Sequence, residues 1–345
     1  MDQAVSDRHA ARRPAKETSA PPLVYAALDL GTNNCRLLMA TPQGDGFRVL
    51  DAFSRTTRLG EGLATSGALS PEAVERTIAA LKTCASRMNR RGVTRFRAVA
   101  TEACRRATNC HDFLARVSAE TGLAMDIISA EEEARLALAG CAPLLDRRIA
   151  DALVFDIGGG STELIHVAVS PRPGAEEIVG LASLPLGVVT LAEERGAALN
   201  DPQGYADTVD AVTERLRLFD ADGLLSRLIA EGRVQMLGTS GTVTTLAGVH
   251  LSLPRYDRSA VDGLVMDFDA VKRVSRHLVR ADAEQRAHHP CIGQDRADLV
   301  VAGCAILEAI CRLWPVGRLR VADRGVREGV LLSMMRTDKI EAAAE

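Results

Sequence analysis

At 345 residues the chain is long enough for about two domains, each able to bury its own core. A composition of 47% hydrophobic and 25% charged residues is that of a globular protein, and a net charge of -3 offers no overall attraction to nucleic acid. No apolar run approaches the ~20 residues of a membrane span, and the eight cysteines form neither a CxxC pair nor a Cys/His cluster of zinc spacing, which fits reduced thiols in a cytoplasmic protein.

Residues 1–22 are polar, carry scattered Arg and Lys and end in Pro21-Pro22, so a disordered leader is expected there. A first domain is expected over 23–145. It opens with Tyr25-Ala-Ala-Leu-Asp29-Leu-Gly31-Thr32-Asn33-Asn34-Cys35-Arg36-Leu-Leu-Met-Ala40, two apolar runs joined by an acid, a glycine and small polar residues, which reads as strand, turn, strand. Residues 46–54 read as a third strand. Ser70-Pro71 marks a helix start, with Val74, Ile78, Leu81 and Met88 as the buried face and Gly92 as the stop. A strand over 95–100 delivers the chain to 101–109, where Arg105 or Arg106 could reach a phosphate beyond the strand's carboxyl end; a solvated surface charge is an equal reading for either.

After a short strand at 125–128 comes Ser129-Ala130-Glu131-Glu132-Glu133-Ala134-Arg135-Leu136. One reading is a capping box, with Ser129 as N-cap and Glu132 three residues on. The other places one of these acids at the mouth of a cleft, taking a proton from water. Local chemistry does not separate them.

A second domain is expected over 146–323. Ala152-Leu-Val-Phe-Asp156-Ile-Gly158-Gly159-Gly160-Ser161-Thr162-Glu163-Leu-Ile-His-Val-Ala168 repeats the design of residues 25–40. Three glycines let successive N–H groups line one concavity, and Ser161 and Thr162 add hydroxyl donors, a pattern suited to an anion. Asp29, Asp156 and Glu163 would repel a bare phosphate but fit one with a divalent cation between, since Mg2+ prefers carboxylate, water and phosphate oxygens. The plain alternative is a glycine-rich turn with solvated acids; the second copy weighs against it. A strand at 177–184, helical pattern over 202–230, a strand at 233–237 and a helix over 241–249 follow. The stretch Gly238-Thr-Ser240-Gly241-Thr242 between the last two is a third phosphate-loop candidate. Further expectations are a helix at 267–279, a loop at 287–290, a helix at 296–310 with its charged start toward the cleft, and a strand at 318–322. A final helix over 324–345 is expected to pack back on the first domain. Two acid-tipped hairpins in two related halves imply a duplicated α/β fold with the ligand between them.

GxxxxGK[ST], HExxH, GxSxG and GxGxxG are all missing, which removes Walker-type, zinc-protease, serine-hydrolase and dinucleotide readings. Phosphate loops with spare carboxylates suit phosphoryl transfer, in which positioning and charge stabilisation do most of the work.

The motifs Asp29–Leu37, Ala100–Arg105, Ser129–Leu136, Asp156–Leu164, Gly238–Thr245 and Asp323–Gly329 occur in an order that resembles the exopolyphosphatase and guanosine pentaphosphate phosphohydrolase (Ppx/GppA) family, in its short two-domain form. The resemblance implies a duplicated actin-like ATPase (ribonuclease H-like) fold and removal of terminal phosphate from a phosphoanhydride chain with Mg2+ or Mn2+. It implies Glu132 as catalytic base and Asp29, Asp156 and Glu163 as metal-side acids. Phosphate would be bound by Gly31, Thr32, Asn33, Asn34, Arg36, Arg105, Gly158, Gly159, Gly160, Ser161 and Thr162. The implied partners are inorganic polyphosphate and, as a second substrate, guanosine penta- or tetraphosphate, with a homodimer left open; neither nucleic acid nor a membrane is expected. Where the family usually has Ser-Asn-Ser and a glycine before the glutamates, this chain has Thr32-Asn33-Asn34 and Ala130. Two rival readings stay open: a catalytically weak alarmone-binding sensor, and an ATP-dependent small-molecule kinase of the same fold.

Overall fold

The structure, a computed structural model, describes residues 23–344; the leader expected at 1–22 lies outside them. Strands β1 (Tyr25–Leu30), β2 (Asn34–Gln43), β3 (Gly46–Thr56), β4 (Arg95–Ala100) and β5 (Asp126–Ile127) form one sheet in the order β3-β2-β1-β4-β5. Strands β6 (Asp151–Ile157), β7 (Thr162–Ala168), β8 (Glu177–Leu184), β9 (Val234–Thr239), β10 (Val265–Asp267) and β11 (Arg318–Ala322) form the other, in the order β10-β11-β9-β6-β7-β8. Each sheet is an antiparallel three-strand meander whose first strand also pairs, in parallel, with the next strand in the chain. The two halves thus share one topology, that of the duplicated actin-like ATPase fold.

Strands β1 and β6 sit at the middle of their sheets with both faces covered, which explains their almost unbroken apolar runs. The one half-open position in each is an aspartate, Asp29 or Asp156. The helix Pro71–Arg91 is fixed as the sequence suggests: Ser70 Oγ accepts from Ala73 N at 3.2 Å, and Gly92 closes it in the left-handed conformation.

Two helices trade places between the halves. The helix Ala130–Cys141 follows the first sheet in the chain, yet packs Ala134, Leu138 and Cys141 on the Val154 and Ile165 side of the second. The helix Val326–Ala344 returns to the first sheet, where Val330 and Leu331 meet Tyr25, Ala27 and Leu38. These helices touch backbone to backbone: a Cβ on Gly329 would stand 1.9 Å from Leu136 O, and one on Gly140 2.2 Å from Gly325 O. Only glycine permits that approach.

Two expectations are revised and one strand is added. The helical pattern at 202–230 is two helices, Pro202–Leu216 and Leu224–Ala230, separated at Gly223, whose φ is 68°. The loop expected at 287–290 is partly the end of a helix, Ala283–His288, capped by Asp282. Strand β10 was not foreseen, because three residues are too few to display a period.

Candidate active site

The cleft is built from the β1–β2 and β6–β7 turns. Both are closed by the same bond: Gly31 N donates to Asn34 O and Gly158 N to Ser161 O, each at 2.9 Å. None of Gly31, Gly158, Gly159 and Gly160 has a positive φ, so these glycines are not needed for unusual backbone angles. Three of the four are needed for closeness. A Cβ on Gly159 would lie 3.1 Å from Asn33 N and one on Gly160 2.8 Å from Thr32 Oγ1, while one on Gly158 would lie 2.9 Å from its own turn's Ser161 O. The two turns therefore meet across the interface. The N–H groups of Thr32, Asn33, Gly159 and Gly160 find no acceptor among the described residues, whereas the carbonyls of Gly158 and Gly159 are taken by Val188 N and Val189 N. Free donors facing a common recess make an anion site. Gly31, Thr32, Asn33, Asn34, Arg36, Gly158, Gly159, Gly160 and Ser161 all line it.

Asp29 and Asp156 line the same cleft. Neither carboxylate has a hydrogen-bond donor within reach among the described residues. Burial raises the pKa of Asp29, opposed by the charges of Arg36 and Arg327. Burial, followed by the charge of Glu163, lifts Asp156 to about 7. Two buried carboxylates beside an anion site present oxygens that suit a hard divalent cation. Glu163 does not join them at the cleft surface. It is 1% exposed, its Oε1 accepts from Ser161 Oγ at 2.7 Å and Ser183 Oγ at 2.8 Å, and burial raises its pKa. Among the described residues no three His, Cys, Asp or Glu side chains converge as a ready metal cage. Of the three acids expected to face a metal, Asp29 and Asp156 are therefore presented to the cleft, and Glu163, the cross-strand partner of Asp156 on β7, is buried beside it.

The glutamate expected to act as base, Glu132, does not line the cleft. Glu132 points away: its Oε1 accepts from Arg97 Nη2 at 2.7 Å, and its N–H is bound by the N-cap hydroxyl of Ser129. Glu133 lines the cleft instead. The cause is helical geometry, since one residue turns the side chain about 100° around the axis. Burial and the nearby Glu163 push the Glu133 pKa well up, while Arg105 holds it down.

Arg105 and Thr162 also differ from expectation. The Arg105 guanidinium does not line the phosphate recess; it donates to Glu133 Oε2 at 2.8 Å, to Glu102 Oε2 at 2.9 Å and to Ile128 O at 3.0 Å. Arg106 is exposed. The Thr162 hydroxyl is buried and donates to Leu186 O, so it braces the turn rather than a ligand.

Other residues complete the cleft. Ser240, Gly241 and Thr242 line it at the start of the helix Gly241–His250, with Ser240 held at φ 131° and its Oγ accepting from Val243 N. Thr101, Glu102 and Arg296 line it too. Burial, and then the like charge of Arg36, lower the Arg296 pKa, so two cations face one recess. The motif at 238–242 and the charged helix start at 296 were visible signals. For Glu133 the signal was subtler: Leu136, Ala137 and Gly140 lie on its buried stripe, whereas Glu132 shares a face with exposed Arg135.

Comparison with known proteins identifies the family. Exopolyphosphatase 2 of Mycobacterium tuberculosis is 30% identical over 326 residues, which span 90% of this chain and 98% of that one. The crystal structure of the Aquifex aeolicus Ppx/GppA family member superposes with a TM-score of 0.74 at 28% identity, covering 92% of this chain and 99% of that one. An exopolyphosphatase structure from Cytophaga hutchinsonii, at 23% identity and TM-score 0.78, covers 91% and 98% and supports the fold. The profile of the Ppx/GppA phosphatase family matches residues 39–338, which hold the end of β2, the Glu133 helix and the whole second hairpin. With sequence, fold and cleft in agreement, the chain belongs to the Ppx/GppA phosphatase family.

Proposed function

We propose that this hydrolase of phosphoanhydride bonds is an exopolyphosphatase: it removes the terminal phosphate of inorganic polyphosphate as orthophosphate and accepts guanosine pentaphosphate as a second substrate. The observation that carries the reading is the meeting of the two hairpin turns, with unpaired amides and the Glu133 carboxylate in one cleft. The amides of residues 32, 33, 159 and 160, with the Ser161 hydroxyl, hold the terminal phosphoryl group, and Arg36 and Arg296 hold the phosphates behind it. Glu133 takes a proton from water as the water oxygen bonds to the terminal phosphorus. The bond from that phosphorus to the bridging oxygen breaks, and the oxygen leaves with the shortened chain. Arg105 positions Glu133 and favours its ionised form. Mg2+ or Mn2+, bound at Asp29 and Asp156, would supply charge neutralisation on the phosphate oxygens.

Two lobes, 23–145 with the final helix and 146–323, flank the cleft in this reading. The eight buried thiols suit the reducing cytoplasm, where we place the enzyme. Among the described residues no helix is long and apolar enough to cross a membrane.

The test is orthophosphate release from polyphosphate and from guanosine pentaphosphate, side by side, with Mg2+ and with EDTA. Release from polyphosphate without any acceptor supports the reading. Binding without release would favour a sensor, and phosphate transfer from ATP to an acceptor would favour a kinase.

A further inference from the structure

The first phosphate turn is carried by a strap. Residues 57–62 run beneath it, and Thr57 N and Arg58 N both donate to Asn33 O while Gly60 N donates to Thr32 O, all at 2.9–3.0 Å. Gly60 is pressed against Thr32, since a Cβ there would lie 2.3 Å from Thr32 Cγ2. Any movement of the strap therefore moves the turn that holds the phosphoryl group.

The strap is tied to the opposite half. Arg58 sits at φ 48°, a left-handed conformation that a non-glycine residue adopts only when its surroundings impose it. From there its guanidinium grips Asp298 bidentately, Nη1 to Oδ2 at 2.8 Å and Nη2 to Oδ1 at 3.1 Å, and Nη2 also donates to Asp295 O at 3.3 Å. A second tie joins Gly62 N to Glu193 Oε1 at 2.8 Å. Asp298 lies two residues from Arg296 and next to Leu299, and both of those line the cleft. The pair spans from the strap under one phosphate turn to the segment that carries the arginine on the other wall.

We infer that Arg58 is a positioning residue, latched on Asp298, that fixes the spacing between the first phosphate turn and the Arg296 wall. This goes beyond the assignment of the reaction and rests on it only for the substrate used in the kinetic arm of the test. Both side chains are partly open, 31% and 51% exposed. The latch is therefore strong enough to bias the spacing and weak enough to release it when substrate enters or product leaves.

Arg58→Asp, Asp298→Arg and the charge-swapped double variant should be compared with wild type. Amide hydrogen exchange at residues 31–34, measured without substrate, is expected to quicken in both single variants and to slow again in the double. With polyphosphate, each single variant should raise KM about two- to fivefold, the range an exposed ion pair commands, while kcat changes less than twofold. The double variant should recover most of the KM. Unchanged exchange and KM in either single variant, or a double variant no better than the singles, overturns the latch. Wild-type enzyme inert toward polyphosphate would remove the substrate reading, and the exchange data alone would then decide the latch.

Discussion

Arg105 Nη1 donates to Glu133 Oε2 at 2.8 Å while the same guanidinium binds Glu102. One cation thus holds two acids at the edge of the cleft, with Glu163 close enough to raise the Glu133 pKa by repulsion.

Removing that cation should change the pH profile more than the affinity. Arg105 lowers the Glu133 pKa, so Arg105→Ala raises it, and the ionised base then exists only at higher pH. The acid limb of kcat/KM is expected to move up by about one to three pH units, the range an adjacent opposite charge commands. Were Arg105 a phosphate ligand instead, KM would rise and the limb would stay in place.

Asp156 predicts an unusual dependence of stability on pH. Its folded pKa is raised, so between its unfolded value near 4 and its folded value of about 7 the folded chain holds a proton that the unfolded chain has lost. Stability from this group is therefore lost as pH rises through that window, by roughly 4 kcal/mol at most. Glu120, whose pKa is lowered by its partners, and His289, lowered by burial, contribute slopes of the opposite sign. Metal-free wild type should melt at a lower temperature at pH 8 than Asp156→Asn, and Mg2+ should raise the wild-type melting temperature more at pH 8 than at pH 6. Thermal scans that show no such difference would contradict the unpaired state of this carboxylate.

Gly187 is a purely steric prediction. A Cβ there would meet Gly159 C and O at 2.3 Å and Gly160 N at 2.4 Å, all backbone atoms of the second phosphate turn. Gly187→Ala should destabilise the protein by about 1–3 kcal/mol and displace that turn. Denaturant unfolding and phosphate release should both report it, whereas Gly232→Ala, with open space around it but φ 71°, should lose stability and keep turnover.

Local patterns were legible in the sequence and long-range choices were not. The two hairpins were visible because acid, glycine and apolar runs are contiguous, and their duplication pointed to the cleft. The Ser129 cap was equally visible, yet it placed Glu132 at the third helical position without revealing which stripe of the helix met the cleft. Glu132 is settled by Arg97, 35 residues away on β4, a contact no local spacing announces. The same holds for Arg105, an arginine beyond a strand end whose guanidinium binds Glu102 and, 28 residues away, Glu133. Glu163 resembled Asp156 in type, but its position opposite Ser183 on β8 supplied hydroxyl partners and kept it from the cleft surface.

The most direct measurement is steady-state orthophosphate release from polyphosphate by wild type, Glu133→Gln and Glu132→Gln under identical Mg2+. Loss of a general base lowers kcat by about 10²–10⁴-fold, and that is expected for Glu133→Gln. Glu132→Gln, which loses only a part-exposed pairing with Arg97, should stay within about twofold of wild type. A kcat that collapses in Glu132→Gln while Glu133→Gln remains active would contradict the assignment of Glu133 as the base.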